Sequence, residues 1–227
     1  MSSVAQSISF PAGSGRVEGY LVRPEGDGPF PGVVVIHEIF GLNENIKEIA
    51  QRFADQGYVA LAVDLFAGHN RAICMFRFMG QIMLNPLKNN SIRDLKAALT
   101  YLTEQPGVDS ARLGAIGFCM GGSFAVSWAC SDNRLRAIAP FYGMNPRPLE
   151  AVARACPVVG SYPDKDFTTS HGQKLDVALN NYNIPHDIKV YPNSKHSFFN
   201  DKGSNYNEEA AKDSWQRIIT FFSEHIG

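Results

Sequence analysis

The sequence predicts an α/β fold: a mostly parallel central sheet with helices on both faces and an antiparallel N-terminal edge. Three observations lead there. From residue 32 onward, short β-branched runs alternate with segments of helical periodicity. The runs at 32–37 and 58–63 are apolar without a polar alternate, as strands covered on both faces must be. Polar residues gather just beyond such runs, where the loops at the carboxyl ends of parallel strands carry chemistry.

The elements follow in order. Residues 6–10 and 17–22, split by Pro-Ala-Gly-Ser-Gly-Arg, read as two antiparallel edge strands. After a Gly/Pro-rich connection, 32–37 is a buried strand ending in Glu38-Ile39-Phe40-Gly41. Residues 43–56 form an amphipathic helix with Ile46, Ile49, Ala50 and Phe53 on one stripe, Asn43 as N-cap and Gly57 as stop. The strand 58–63, ended by Asp64, completes a strand-helix-strand unit. Residues 66–88, which hold Gly68, His69, Arg71, Cys74, Arg77 and three methionines, read either as a lid helix or as an irregular surface insertion. Ile92, Leu95, Ala98, Leu99 and Leu102 mark a helix over 91–104. The strand 113–116 then leads through a glycine-flanked turn into a helix reaching Cys130. A strand at 136–142, a short helix at most over 147–154, a strand at 157–161, a helix over 170–182, a strand at 186–191 and a helix over 207–225 close the chain.

Composition narrows the classes of function. With 44% hydrophobic and 19% charged residues the chain is expected to be globular, and without repeats or linkers residues 1–227 are expected to form one domain. A net charge of −1 supports neither nucleic acid nor an anionic membrane as partner. A basic N-terminal region followed by an apolar run is missing, as is an apolar stretch of spanning length, so a cytoplasmic location is expected. Four cysteines, none at C-x-x-C spacing, point to reduced thiols rather than a disulfide framework or a zinc site. No metal or cofactor is expected, and the chain is expected to be a monomer or a weak homo-oligomer.

The chemistry centres on Gly117-Phe118-Cys119-Met120-Gly121, a Gly-x-nucleophile-x-Gly turn with cysteine where serine is usual. Alone, it also fits a glycine-rich turn around an inert buried thiol, the weaker of the two readings. What decides is the set of residues at the other strand ends: Glu38, Asp64, Asp164 or Asp166, and His196. Nucleophile, acid and histidine occur in that chain order, and these are the parts that acyl transfer through a covalent intermediate requires. Cys74, Cys130 and Cys156 lack glycine-flanked turns and read as structural.

The chain resembles the dienelactone hydrolase family of the α/β-hydrolase superfamily over nearly its whole length. The resemblance rests on His37-Glu38-Ile39-Phe40-Gly41-Leu42-Asn43, on Gln56-Gly57-Tyr58 leading to Asp64-Leu65-Phe66-Ala67, on Gly117-Phe118-Cys119-Met120-Gly121-Gly122, and on His196-Ser197-Phe198. It implies Cys119 as nucleophile, His196 as base and Asp166, in preference to Asp164, as the orienting acid. It also implies that Glu38 helps to take the thiol proton when substrate binds, that the Ile39 and Met120 amides form the oxyanion hole, and that the substrate is a small ester or lactone. Phe40 and Phe198 are the candidate substrate-binding residues, with Phe199 and the methionine-rich segment adding to an apolar pocket. The arginines with which relatives hold the dienelactone carboxylate correspond here to Gly68 and Asn200, leaving Arg71 or Arg77 as the cations that could replace them. Two readings stand beside a hydrolase with this triad: a thioesterase or other acyl-transfer enzyme, and a hydrolase-fold binding protein without catalysis.

Overall fold

The computed structural model describes residues 3–66 and 71–227. Its strands are β1 (Ser3–Ala12), β2 (Gly15–Pro24), β3 (Phe30–Ile36), β4 (Val59–Asp64), β5 (Val108–Phe118), β6 (Ala137–Phe141), β7 (Val158–Pro163) and β8 (His186–Tyr191). They form one sheet in the order β1-β2-β4-β3-β5-β6-β7-β8. Strands β3 to β8 are mutually parallel, whereas β1 pairs with β2 and β2 with β4 in antiparallel register. The helices are α1 (Glu44–Asp55), α2 (Arg71–Leu84), α3 (Asn90–Thr103), α4 (Met120–Ala129), α5 (Thr169–Asn181) and α6 (Glu208–Ile226). Among the described residues, no helix is long and apolar enough to cross a membrane.

The two-residue period of the strands sorts this material into two cores. Val34, Ile36, Leu61 and Val63 face the side that holds α3, α4 and α5, while Val33, Val35, Ala60 and Ala62 face α1 and α6. The uninterrupted apolar runs are therefore the result of burial on both faces. Three helices start on asparagine caps, each accepting the N–H three residues on: Asn43 from Ile46 at 3.1 Å, Asn89 from Ile92 at 3.0 Å and Asn207 from Ala210 at 3.2 Å. Helix α4 is buried along its whole length, which explains why its sequence is apolar all round rather than striped.

Two regions differ from the sequence pattern, and residues 66–88 take the helical one of their two readings. Strands β1 and β2 extend closer together, leaving only Gly13 and Ser14 between them. Strand β5 begins at Val108, five residues before its apolar run, because Val108 pairs with Phe30 across an irregularity in the β3 register. There the Arg112 guanidinium ties the polar segment down, reaching Asp109 and the Pro29 carbonyl at 2.8 Å each. Residues 66–88 contain a regular helix, α2, whose Cys74, Phe78 and Ile82 are buried, with Phe78 against Phe66 and Phe124. Phe76, Met83 and Leu84 on the same helix are exposed. Gly68 and His69 lie outside the described residues.

Helix α6 is anchored by Phe222, fully buried against Phe53 and Tyr58, with ring centroids 5.9 and 6.5 Å away, and close over Gly114. Phe222→Ala is expected to cost roughly 3–5 kcal/mol, the range for emptying a buried aromatic site. Urea unfolding measures it; a loss below about 1 kcal/mol would contradict this packing of α6 on the sheet.

Candidate active site

Cys119 sits between the end of β5 and the first residue of α4, with φ 56° and ψ −114°. A side chain at positive φ is strained, at a cost of about 1–3 kcal/mol, and survives only where the surroundings over-determine it. Here they do. The Cys119 N–H donates to the Phe141 carbonyl at 3.0 Å, and its carbonyl accepts the Ser123 N–H at 3.1 Å. The flanking glycines are required by backbone contact: a Cβ on Gly117 would fall on the Gly121 carbonyl. One on Gly121 would lie 2.5 Å from the Ile36 carbonyl oxygen, and one on Gly122 2.5 Å from that of Phe141. The resulting turn puts the thiol at the N-terminus of a helix, where the Met120 N–H favours the thiolate.

The neighbouring strand ends supply a paired acid and imidazole. His196 Nδ1 lies 2.8 Å from Asp166 Oδ2, which also accepts the Thr168 N–H at 3.3 Å and the Thr168 hydroxyl. Burial acts to raise the Asp166 pKa, but the hydrogen bonds from His196 and Thr168 outweigh it and hold the carboxyl below the usual carboxylate range. Asp164, the other acid in this loop, accepts the N–H groups of Asn193 at 2.9 Å and Ser194 at 3.1 Å. It braces the loop carrying His196, whereas Asp166 touches the imidazole. Asn205 secures the loop from the far side by donating to the His196 carbonyl at 2.9 Å. The ring itself is flanked by Phe167, stacked at 5.5 Å, and by Tyr142 at 4.8 Å.

Glu38 is buried, and its Oε1 accepts the Ser197 hydroxyl at 2.8 Å. Ser197 is itself at φ 63°, so this bond helps to hold a strained residue directly after His196. The hydroxyl of fully buried Tyr142 lies beside this Glu38–Ser197 pair. Burial, and then the charge of Glu38, push this phenol well above its ordinary pKa. The same two causes act on Cys119: burial first, then the Glu38 charge, push the thiol up to about 12 against the Met120 hydrogen bond, with Asp166 adding a smaller effect. Cys119 is therefore held as a thiol.

The structure thus gathers Cys119, Glu38, Asp166 and His196 at one end of the sheet, with the Met120 amide on the sulfur. Ile39 and Phe40 follow Glu38 there and are exposed at 40% and 49%, available to an apolar ligand. Phe198 needs correction as a substrate-binding residue. It is fully buried among Phe141, Tyr142 and Tyr191, because the left-handed turn at Ser197 sends it into the core. Phe199 is likewise core, packed on Phe118 and beneath Arg52. Asn200 closes a turn by accepting the Lys202 N–H at 3.0 Å, Gly68 lies outside the described residues, and Arg77 borders a cavity with Lys88 and Arg93 at the start of α3. Sequence reasoning missed Tyr142, Ser197, Thr168 and Phe167. Tyr142 had a signal, since it is a polar residue directly after a buried strand. Thr168 had one too, two residues after an aspartate where Asx turns form.

This sheet, with a strained turn between strand and buried helix, an acid after β7 and a histidine after β8, is an α/β-hydrolase fold. The chain belongs to the dienelactone hydrolase family, whose sequence profile matches residues 17–226, and is a dienelactone hydrolase-like hydrolase. A protein of Saccharolobus solfataricus provisionally named carboxymethylenebutenolidase is 32% identical over 255 aligned positions, covering 95% of this chain and 97% of the relative. A crystal structure provisionally described as a dienelactone hydrolase of Klebsiella pneumoniae superposes with a TM-score of 0.87 at 30% identity, covering 99% of this chain and all of that one. A dienelactone hydrolase-like promiscuous phosphotriesterase from metagenomic libraries superposes at 0.89 with 29% identity, covering 100% of both chains.

The electrostatics make a signed prediction. With the thiol pushed up to about 12, its alkylation by iodoacetamide in the absence of substrate is expected to be slow at pH 7 and to rise about tenfold per pH unit from pH 8 to 10. Glu38→Gln removes a charge that opposes thiolate, so alkylation of Cys119 at pH 9 is expected to accelerate, as read by peptide mass spectrometry. An unchanged or slower rate would contradict the coupling.

Proposed function

We propose that the protein hydrolyses small esters or lactones through a Cys119–His196–Asp166 triad and a covalent thioester intermediate. The observation that carries this reading is the strained turn at Cys119, whose thiol feels the charges of Glu38 and of Asp166, the latter hydrogen-bonded to His196. Relatives named carboxymethylenebutenolidase support the ester or lactone class.

In this mechanism the substrate carbonyl enters beside the sulfur, its oxygen held by the Ile39 and Met120 N–H groups. Glu38 takes the thiol proton. The transfer exchanges a thiol and a carboxylate for a thiolate and a carboxylic acid, so the charge that kept the thiol protonated disappears in the same step. The thiolate adds to the carbonyl carbon, and the oxyanion is stabilised by the two amides. Collapse breaks the C–O bond, and the leaving alkoxide carries off the proton that Glu38 took. A water molecule then gives a proton to His196 Nε2 and adds to the thioester. Asp166 stabilises the imidazolium, which returns the proton as the thiolate leaves. The net change is ester plus water to acid plus alcohol.

Cys119→Ala is expected to abolish turnover of aryl esters while leaving the melting temperature near wild type; turnover surviving in the purified variant would refute the mechanism. Asp166→Asn is expected to lower kcat by about 10³–10⁴-fold, the scale seen when a triad acid is neutralised, whereas Asp164→Asn acts mainly on stability. An equal loss of kcat in both would remove the distinction drawn from their contacts.

The rim of the site sets the substrate. Exposed Ile39, Phe40 and Phe167 surround it with apolar surface, and the position matching one of the family's arginines is Asn200. Neutral esters and lactones are therefore expected to exceed carboxylate-bearing dienelactone in kcat/KM by about 10-fold or more. A panel of both kinds tests this, with a phosphotriester arm added because of the phosphotriesterase neighbour. Faster turnover of the carboxylated lactone would mean that another cation serves it.

A further inference from the structure

The preceding mechanism does not use His37, a fully buried imidazole just before Glu38. Its two nitrogens are both engaged. Nε2 lies 3.0 Å from the Leu65 N–H and accepts it, so Nε2 carries no proton. Nδ1 lies 2.5 Å from the Glu38 carbonyl oxygen, an acceptor only, so Nδ1 carries the proton and donates. Asp64 Oδ1, 3.5 Å from Nε2, accepts the Phe66 N–H at 2.9 Å. The ring stacks on Phe66 with centroids 5.0 Å apart and an interplanar angle of 18°. The end of β4 therefore holds the imidazole in one tautomer and one orientation.

The Glu38 carbonyl belongs to the same peptide unit as the Ile39 N–H. A trans peptide is planar, with C=O and N–H pointing in opposite directions, so aiming the carbonyl aims the amide. A donor on the carbonyl also polarises the peptide and makes its N–H a better donor. Among the described residues the Ile39 N–H has no backbone or side-chain acceptor, whereas the Glu38 carbonyl takes a second bond from the Gly41 N–H at 3.3 Å. We infer that His37 is a positioning residue for the oxyanion hole: through Nδ1–H it fixes the Glu38–Ile39 peptide so that the Ile39 N–H faces the oxyanion of the tetrahedral intermediate. The inference rests on the proposed function and adds to it a residue that touches neither substrate nor thiol.

Two variants test it. His37→Phe keeps a ring on Phe66 but has no donor; His37→Asn restores an N–H near the Nδ1 position. Each is checked first by its melting temperature, then by ester kinetics and by iodoacetamide alkylation of Cys119, a reaction that forms no oxyanion. For His37→Phe, kcat is expected to fall about 10–100-fold, somewhat less than for loss of an oxyanion donor, with KM within about twofold. The pH profile of alkylation should be unchanged. Affinity for a trifluoromethyl ketone, whose adduct with Cys119 carries an oxyanion, should fall by a similar factor, and His37→Asn should recover part of both losses. Wild-type kcat in His37→Phe, or a loss of alkylation in proportion to the loss of turnover, would overturn the inference while leaving the proposed function intact. A wild-type protein inert towards every ester would overturn both.

Discussion

The site depends on a close approach of backbones at the start of α4. Gly117, Gly121 and Gly122 let the helix press against the ends of β3 and β6, and that contact holds Cys119 at a φ no free cysteine would choose. The strain, about 1–3 kcal/mol, is small beside the burial of Phe124, Val126 and Trp128, each worth about 1.5–3 kcal/mol. The helix is therefore apolar on every side for a mechanical reason: it is the clamp that keeps the Cys119 turn closed. Its first amide on the sulfur is a by-product of the same geometry.

Around this turn the charges are arranged so that the thiol rests protonated. Burial and two carboxylates oppose the thiolate, and one of these carboxylates, Glu38, is tied to Ser197. A protonated buried thiol is a poor target for oxidants and electrophiles. In the proposed mechanism the carboxylate that suppresses the thiolate also takes the thiol proton, so suppression and activation use the same group. The tie to Ser197 links that group to the loop bearing His196, and the two halves of the mechanism meet in one hydrogen bond.

The imidazole loop owes its position to residues with no chemical part in the reaction. Asp164 takes the N–H groups of Asn193 and Ser194, Asn207 donates to the Ser194 hydroxyl at 3.0 Å, and Asn205 holds the His196 carbonyl. Two acids two residues apart thus divide the work, one fixing the loop and the other the ring. His37 does for the Glu38–Ile39 peptide what Asp164 does for the His196 loop, anchoring a strand end through a buried polar contact.

By itself, the sequence determined the alternation of strands and helices, the two-sided burial of the sheet, the Asn43 cap and the glycine-flanked turn. Each of these is written in local periodicity or in backbone requirements that one or a few residues impose. The succession of Cys119, an acid and His196 at strand ends was legible for the same reason, since a polar residue after a buried run marks a loop at the sheet's edge. Tertiary structure alone decided what depends on register and rotamer across long separations. It sent Phe198 into the core while leaving Phe40 outside, and brought Ser197 to Glu38 across 159 residues and His37 to Leu65 across 28. Which way a side chain turns at a strand end is set by what packs against it, and that partner comes from elsewhere in the chain.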